Sequence, residues 1–327
     1  MQTTIRMISS ALLFAAASQI VATAEVPSAH KLEATVIAGD WKALAENSSG
    51  DAVGHFSRAA ANGVMGNYRI MKDEFKQSRG GEAAIEEFCA RLLKEAPKNG
   101  YARFVEGVRL YDKGETEKAI ATYKKATELN PKFAAPFLQI GLHYGQKANN
   151  RTEQMAWIDK AIVADARFCP AYVSKGVAYC ETGRRDLALD QFKKAVELLD
   201  TANVSTGQPL GQAYYNLGWM FINQASPDND KGIAMMRKAI AADPWTLEAY
   251  NELGIALKRK GQFAEAVATY KEGMGKGAGD ATMYFNLGVA EYRNGNSAAA
   301  KTAFEKAISL DQGGSVGGQA RQWLGRM

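Results

Sequence analysis

Residues 281–310 read ATMYFNLGVAEYRNGNSAAAKTAFEKAISL, and this stretch decides the fold. In its first half Tyr284, Leu287 and Gly288 share one face of a helix; in its second half Ala300, Phe304 and Ala307 follow i, i+4, i+7 spacing and define a second helix. Gly295 lies between the two halves, where a tight turn needs a residue without a Cβ. Two antiparallel helices that approach closely require a missing side chain on one and small residues on the other. Gly288 and the alanines supply them.

The same grammar recurs upstream. Gly107, Gly141, Gly176, Gly218, Gly254 and Gly288 are separated by 34, 35, 42, 36 and 34 residues, a period that marks stacked helix pairs. An aromatic stands four residues before five of them, at Phe137, Tyr172, Tyr214, Tyr250 and Tyr284, and Ile140, Leu217, Leu253 and Leu287 immediately precede four. Ala119, Tyr123, Ala126 and Ala188, Phe192, Ala195 repeat the second-helix spacing. A glycine inside a helix costs about 1 kcal/mol relative to alanine, so six at one repeat position point to tight packing. Gly114, Gly183 and Gly261 match Gly295 at the turn, and Pro131 and Pro244 stop second helices.

These residues resemble the tetratricopeptide repeat, a helix-turn-helix unit of 34 residues, over 100–312 as six repeats starting near Gly100, Ala134, Cys169, Gly211, Leu247 and Ala281. The resemblance implies an all-α fold, a right-handed superhelix of stacked antiparallel helix pairs. Departures are local: Gln154 replaces a small residue, Ser226 to Asp230 is an insertion, and the polar segment 200–212 suggests a hinge between two three-repeat halves. Gly273, Gly275, Gly277 and Gly279 predict that the second helix of the fifth repeat stops early or frays. Residues 66–99 keep Gly80 and Pro97 but lack the packing glycine, and read as a degenerate repeat within a helical N-terminal cap over 25–99. Residues 313–327 read as a capping C-terminal helix, with Trp323 and Leu324 apolar.

Met1 to Arg6, the short apolar run from Met7 to Ile20 and Ala22-Thr23-Ala24 follow the order of a secretory signal peptide over residues 1–24. The run is shorter than the roughly 20 apolar residues of a bilayer span and contains Ser9, Ser10 and Gln19, so cleavage after Ala24 is expected rather than stable membrane insertion. The expected location is exported, periplasmic or secreted. Cys169 and Cys180 lie about 16 Å apart if one helix carries both, too far for a disulfide, and Cys89 is a repeat or more away; all three read as buried small hydrophobes. The composition, 46% hydrophobic and 23% charged, is that of a globular chain. Its net charge of +5 is spread without a basic run, which gives no nucleic-acid surface.

No constellation of catalytic, metal or cofactor residues emerges. Gly313 to Gly317 matches G-x-S-x-G but follows a helix, and no histidine lies downstream. His30, His55 and His143 are too scattered for a zinc site. The chain therefore reads as a non-enzyme without cofactor. In the resembled family the first helix of each repeat lines a concave groove. The corresponding residues are Tyr101, Phe104, Tyr111, Gln139, Leu142, Ser174 and Glu181 in the first half. In the second half Tyr215, Asn216, Trp219, Asn223, Asn251, Lys258, Phe285, Asn286 and Tyr292 form the candidate partner-binding groove, accompanied by Glu252, Arg259 and Arg293. Amides can donate to and accept from one peptide unit, and aromatics add area at low entropy cost, which suits an extended polypeptide. The expected role is a protein-binding scaffold of the cell envelope, such as an assembly or secretion factor; a glycan-associated or enzyme-accessory module is the alternative. Exported protein should start at Glu25, which intact mass measures directly; material still carrying residues 1–24 would refute the leader.

Overall fold

The computed structural model describes residues 29–47, 49–146, 150–202 and 207–327. The expected leader lies outside them. Every regular element among the described residues is a helix. The chain divides into two compact units, with the boundary in sequence between residues 204 and 205.

The first unit opens with α1 (Ala29–Ala38), α2 (Trp41–Ala45), α3 (Ala52–Met65), α4 (Tyr68–Gln77) and α5 (Glu82–Glu95). Helix α4 packs on α3, while α5 packs on α1, α3 and the following helix, α6 (Gly100–Asp112). Asp51 starts α3 by accepting a hydrogen bond from the Gly54 amide at 2.7 Å, and Gly66 ends it in the left-handed conformation. Trp41 fastens the opening helices to the first repeat: it stacks on Phe133 with centroids 5.5 Å apart and meets Tyr101 and Phe104 edge-on. Arg91 of α5 reaches the fully buried Glu33 of α1 at 2.7 Å. Helix α6 pairs with α7 (Thr116–Leu129), α8 (Ala134–Gln146) with α9 (Arg151–Ala164), and α10 (Cys169–Glu181) with α11 (Arg185–Thr201).

The second unit pairs α12 (Gln208–Ile222) with α13 (Asn229–Ala242), α14 (Leu247–Arg259) with α15 (Phe263–Gly275), and α16 (Ala281–Arg293) with α17 (Ser297–Leu310). A last helix, α18 (Ser315–Leu324), lies against α16 and α17. The insertion before α13 provides its cap, Asp228, whose carboxylate accepts from the Lys231 amide at 3.0 Å.

The recurring glycines sit where the paired helices touch. A Cβ built on Gly176 would lie 2.5 Å from Phe192 Cε1, and one on Gly288 would lie 2.6 Å from Phe304 Cε1. Gly107 faces the Tyr123 ring and Gly254 the Tyr270 ring in the same way. The ring of the second helix thus rests on bare backbone of the first. Where the spacing departs, volume moves across the pair: Gln154 of α9 is buried, and the space its amide occupies is left by Gly145 of α8. The glycine run of the fifth repeat behaves differently from expectation. Helix α15 continues through Gly273 to Gly275, because a Cβ on Gly273 would lie 2.7 Å from the Tyr250 Cβ; Gly273 is a packing residue and not a breaker.

All three cysteines are free, with Cys89 and Cys169 buried and Cys180 half-buried. Burial pushes the Cys169 thiol up to about 12.

Replacing Gly176 with alanine sets about 1–3 kcal/mol of overpacking against about 1 kcal/mol of gained helix propensity. Gly176→Ala should therefore lower the urea midpoint. Gly318→Ala, in α18 with nothing within 4 Å of the new methyl group, should raise it. The reverse order would place the close helix contact elsewhere.

Candidate functional site

In the second unit α14 packs against both α12 and α16, so the first helices of the three repeats form one continuous face. A cleft of about 490 Å³ opens on it, walled by Tyr215 of α12, by Glu248, Asn251 and Glu252 of α14, and by Asp280 and Met283 at the start of α16. Leu247, Gly277, Ala278 and Gly279 complete the lining. Gly277 holds φ +101 and nothing approaches its missing side chain, so the glycine run ends by leaving the cleft mouth open.

Beside the cleft runs a chain of hydrogen bonds. The Lys258 ammonium donates to Asn286 Oδ1 at 2.8 Å, and Asn286 Nδ2 donates to Asn251 Oδ1 at 3.2 Å. Three residues that sequence spacing assigned to the groove are thus joined across α14 and α16. Burial pulls the Lys258 amine down to about 8, and the neighbouring positive charge of Arg259 adds to the effect. Midway along α14, burial raises the Glu252 carboxyl, opposed by an amide hydrogen bond from Asn223 at 3.4 Å and by Arg259. Burial, then the charges of Glu252 and Glu248, pushes the Tyr215 phenol up. Acids near the N-terminus of α14 and bases near its C-terminus complement its dipole, so the face is negative at the cleft and positive one to two turns beyond.

The other predicted groove residues divide. Asn216 is 0% exposed, its carbonyl oxygen accepting from Gln212 at 3.4 Å and its amide nitrogen without a partner. It lies beneath the face, which corrects the expectation that it projects toward a partner. Trp219 is half-buried, and its carbonyl accepts from the Asn223 side chain at 3.1 Å. Phe285 and Tyr292 pack into the C-terminal cluster instead of beside the amide chain: Phe285 lies 5.9 Å from Phe304, and Tyr292 meets Trp323 edge-on at 5.5 Å. In the first unit Tyr101 belongs to the Trp41 cluster, Ser174 is buried, and Glu181 pairs with Arg151 at 2.5 Å. Sequence reasoning passed over Asp280, whose visible signal was a helix cap: its carboxylate accepts from the Met283 amide at 2.8 Å. Among the described residues no three His, Cys, Asp or Glu side chains gather to hold a metal, and no helix is long and apolar enough to cross a membrane.

Helix pairs of this period, with this packing glycine, define a class of helical repeat proteins. Residues 107–147 match the model of the TPR repeat, and residues 223–281 and 251–315 match that of the tetratricopeptide repeat; the chain carries tetratricopeptide repeats. It is 29% identical over 119 residues to the mitochondrial import receptor subunit TOM70 of Mus musculus, covering 36% of this chain and 19% of that protein. It is 32% identical over 109 residues to the probable UDP-N-acetylglucosamine–peptide N-acetylglucosaminyltransferase SPINDLY of Hordeum vulgare, covering 32% of this chain and 12% of that protein. The chain thus spans a fifth or less of these relatives. Among solved structures, Pseudomonas aeruginosa pilF superposes with a TM-score of 0.59 at 16% identity over 68% of this chain and 96% of that one. The APC/C hetero-tetramer Cut9-Hcn1 gives 0.57 at 14% identity over 77% and 48%. These likenesses are of fold.

The Lys258 amine gives a pH signature. Its folded value lies below the unfolded one, so between about pH 8 and 10.5 the unfolded chain holds a proton that the folded chain has lost, and stability rises with pH in that window. Urea melts at pH 7.5 and 10 should show the wild type gaining on Lys258→Met. A constant difference would mean that the ammonium is fully hydrated.

Proposed function

We propose that this chain is a non-catalytic, exported scaffold of the cell envelope that binds an extended polypeptide along the α12–α14–α16 face, in the manner of an assembly or secretion factor. The observation that carries this reading is the Lys258–Asn286–Asn251 hydrogen-bonded chain running beside an open cleft. Preorganised amides and one ammonium offer donors and acceptors at fixed positions, which saves the ordering cost of binding a flexible segment. The segment's donors or cations face Glu248, Glu252 and Asp280, and its acceptors face Lys258. Tyr215 supplies aromatic contact area at the cleft wall. The repeat fold supports an interaction module, and the import-receptor relative is in keeping with one.

The test is a crosslinked pulldown from envelope extract with the full chain and with Tyr215→Ala/Asn251→Ala. Removing an anchor at a binding centre costs about 2 kcal/mol, a factor near thirty in affinity. Partner recovery should fall by that order while circular dichroism is unchanged. Equal recovery would remove the site from this face, and competition by oligosaccharides instead of peptides would transfer it to the glycan-binding alternative.

A further inference from the structure

The first unit contains a second, smaller pocket of about 270 Å³, enclosed by α3, α4, α6, α7 and α8. Its origin is a run of small residues. Ala59, Ala60 and Gly63 on α3 leave space opposite Phe104 and Val108 of α6, while Tyr68, Met71 and Phe75 of α4 close the side. The lining is predominantly apolar, and the volume is nearly twice the roughly 150 Å³ of an apolar cavity that takes up benzene. It fits one fused ring system, or a single ring with a substituent.

Three polar groups give the pocket a direction. Tyr123 is only 2% exposed and lines the pocket, yet its hydroxyl makes no hydrogen bond within the described chain; the ring lies on Gly107 and 5.5 Å from Phe104. The little exposure that this side chain keeps faces the pocket, so its hydroxyl is free to bond whatever the pocket holds. Gln139 of α8 brings a second side chain without an internal hydrogen bond to the same wall. Asp112 adds a carboxylate held by Arg79 at 3.1 Å, and burial raises its acid. The Asp112 carboxylate only accepts, and the Tyr123 hydroxyl and Gln139 amide oxygen can accept as well, so all three can serve a ligand that donates.

We propose that this pocket binds an aromatic ring carrying one hydrogen-bond donor, of the indole or phenol class. The ring fills the space between α4 and α6, and its donor meets the oxygens of Tyr123, Gln139 and Asp112. The site lies in the first unit and does not depend on the peptide-binding reading of the second.

Calorimetric titration of the full chain with indole should give saturable one-to-one binding at about 1 mM or tighter. Indene, the hydrocarbon of the same shape, should bind at least fivefold more weakly. Tyr123→Phe should weaken indole about fivefold with an unchanged thermal midpoint, since its hydroxyl supports no other group. Val108→Trp, which fills the pocket from a half-buried position, should abolish binding. N-acetyl-tryptophanamide separates the sources of the ring: binding tighter than indole assigns it to a polypeptide, and exclusion assigns it to a free molecule. Absence of saturable indole binding, equal binding of indene, or binding that survives Val108→Trp would overturn the proposal.

Discussion

The contact of an aromatic ring with bare helix backbone is the constraint on which this molecule is built. At Gly107, Gly176, Gly254 and Gly288 the second helix of each pair lays a Tyr or Phe ring where a Cβ would otherwise stand. Dispersion acts over every atom of the ring, and the helices are drawn closer than side chains on both surfaces would permit. The contact also fixes rotation. Once the glycine faces its neighbour, the opposite side of the first helix is turned away from its partner, and in the second unit successive repeats present that side together. The α12–α14–α16 face follows from three missing methyl groups, at Gly218, Gly254 and Gly288, of which Gly218 rests on Met235 and Met236 in place of a ring.

That face is electrically uneven for a reason local to α14. Lys258 and Glu252 stand on one helix, each partly withdrawn from water, and neither meets an opposite charge within ion-pair distance; amides of Asn286 and Asn223 serve them instead. An amide satisfies hydrogen-bonding geometry but leaves charge uncancelled, so both groups keep unspent electrostatic capacity. Two buried carboxylates elsewhere are paired: Glu33 with Arg91, and Glu291 with Lys271 at 2.6 Å. In this respect α14 differs from the helices that carry Glu33 and Glu291.

The helix pairs were legible because glycine, aromatic and alanine at fixed spacing report a contact between neighbours in sequence. The site was legible only in part. Asn251, Lys258 and Asn286 lie where repeat register places them, since register alone decides which side of a helix they occupy. Phe285 and Tyr292 occupy equivalent register, but α18 brings Trp323 over that end of the stack, and a terminal helix has no counterpart in the repeat pattern. Gly273 looked like punctuation because composition does not reveal that Tyr250 presses on it. The pocket beside Tyr123 depends on α4 packing against α3, a pairing that spacing between repeats does not encode.

The exchange between Gly145 and Gln154 ties the two helices of the second repeat to each other. With glutamine in place, a side chain at position 145 makes its amide move; with a small residue at 154, glycine at 145 leaves an empty space. Each residue is acceptable only in the presence of the other, so their effects on stability are coupled rather than additive. The second repeat is thus repacked by changing both positions together, one on each helix of the pair, which neither position reveals alone.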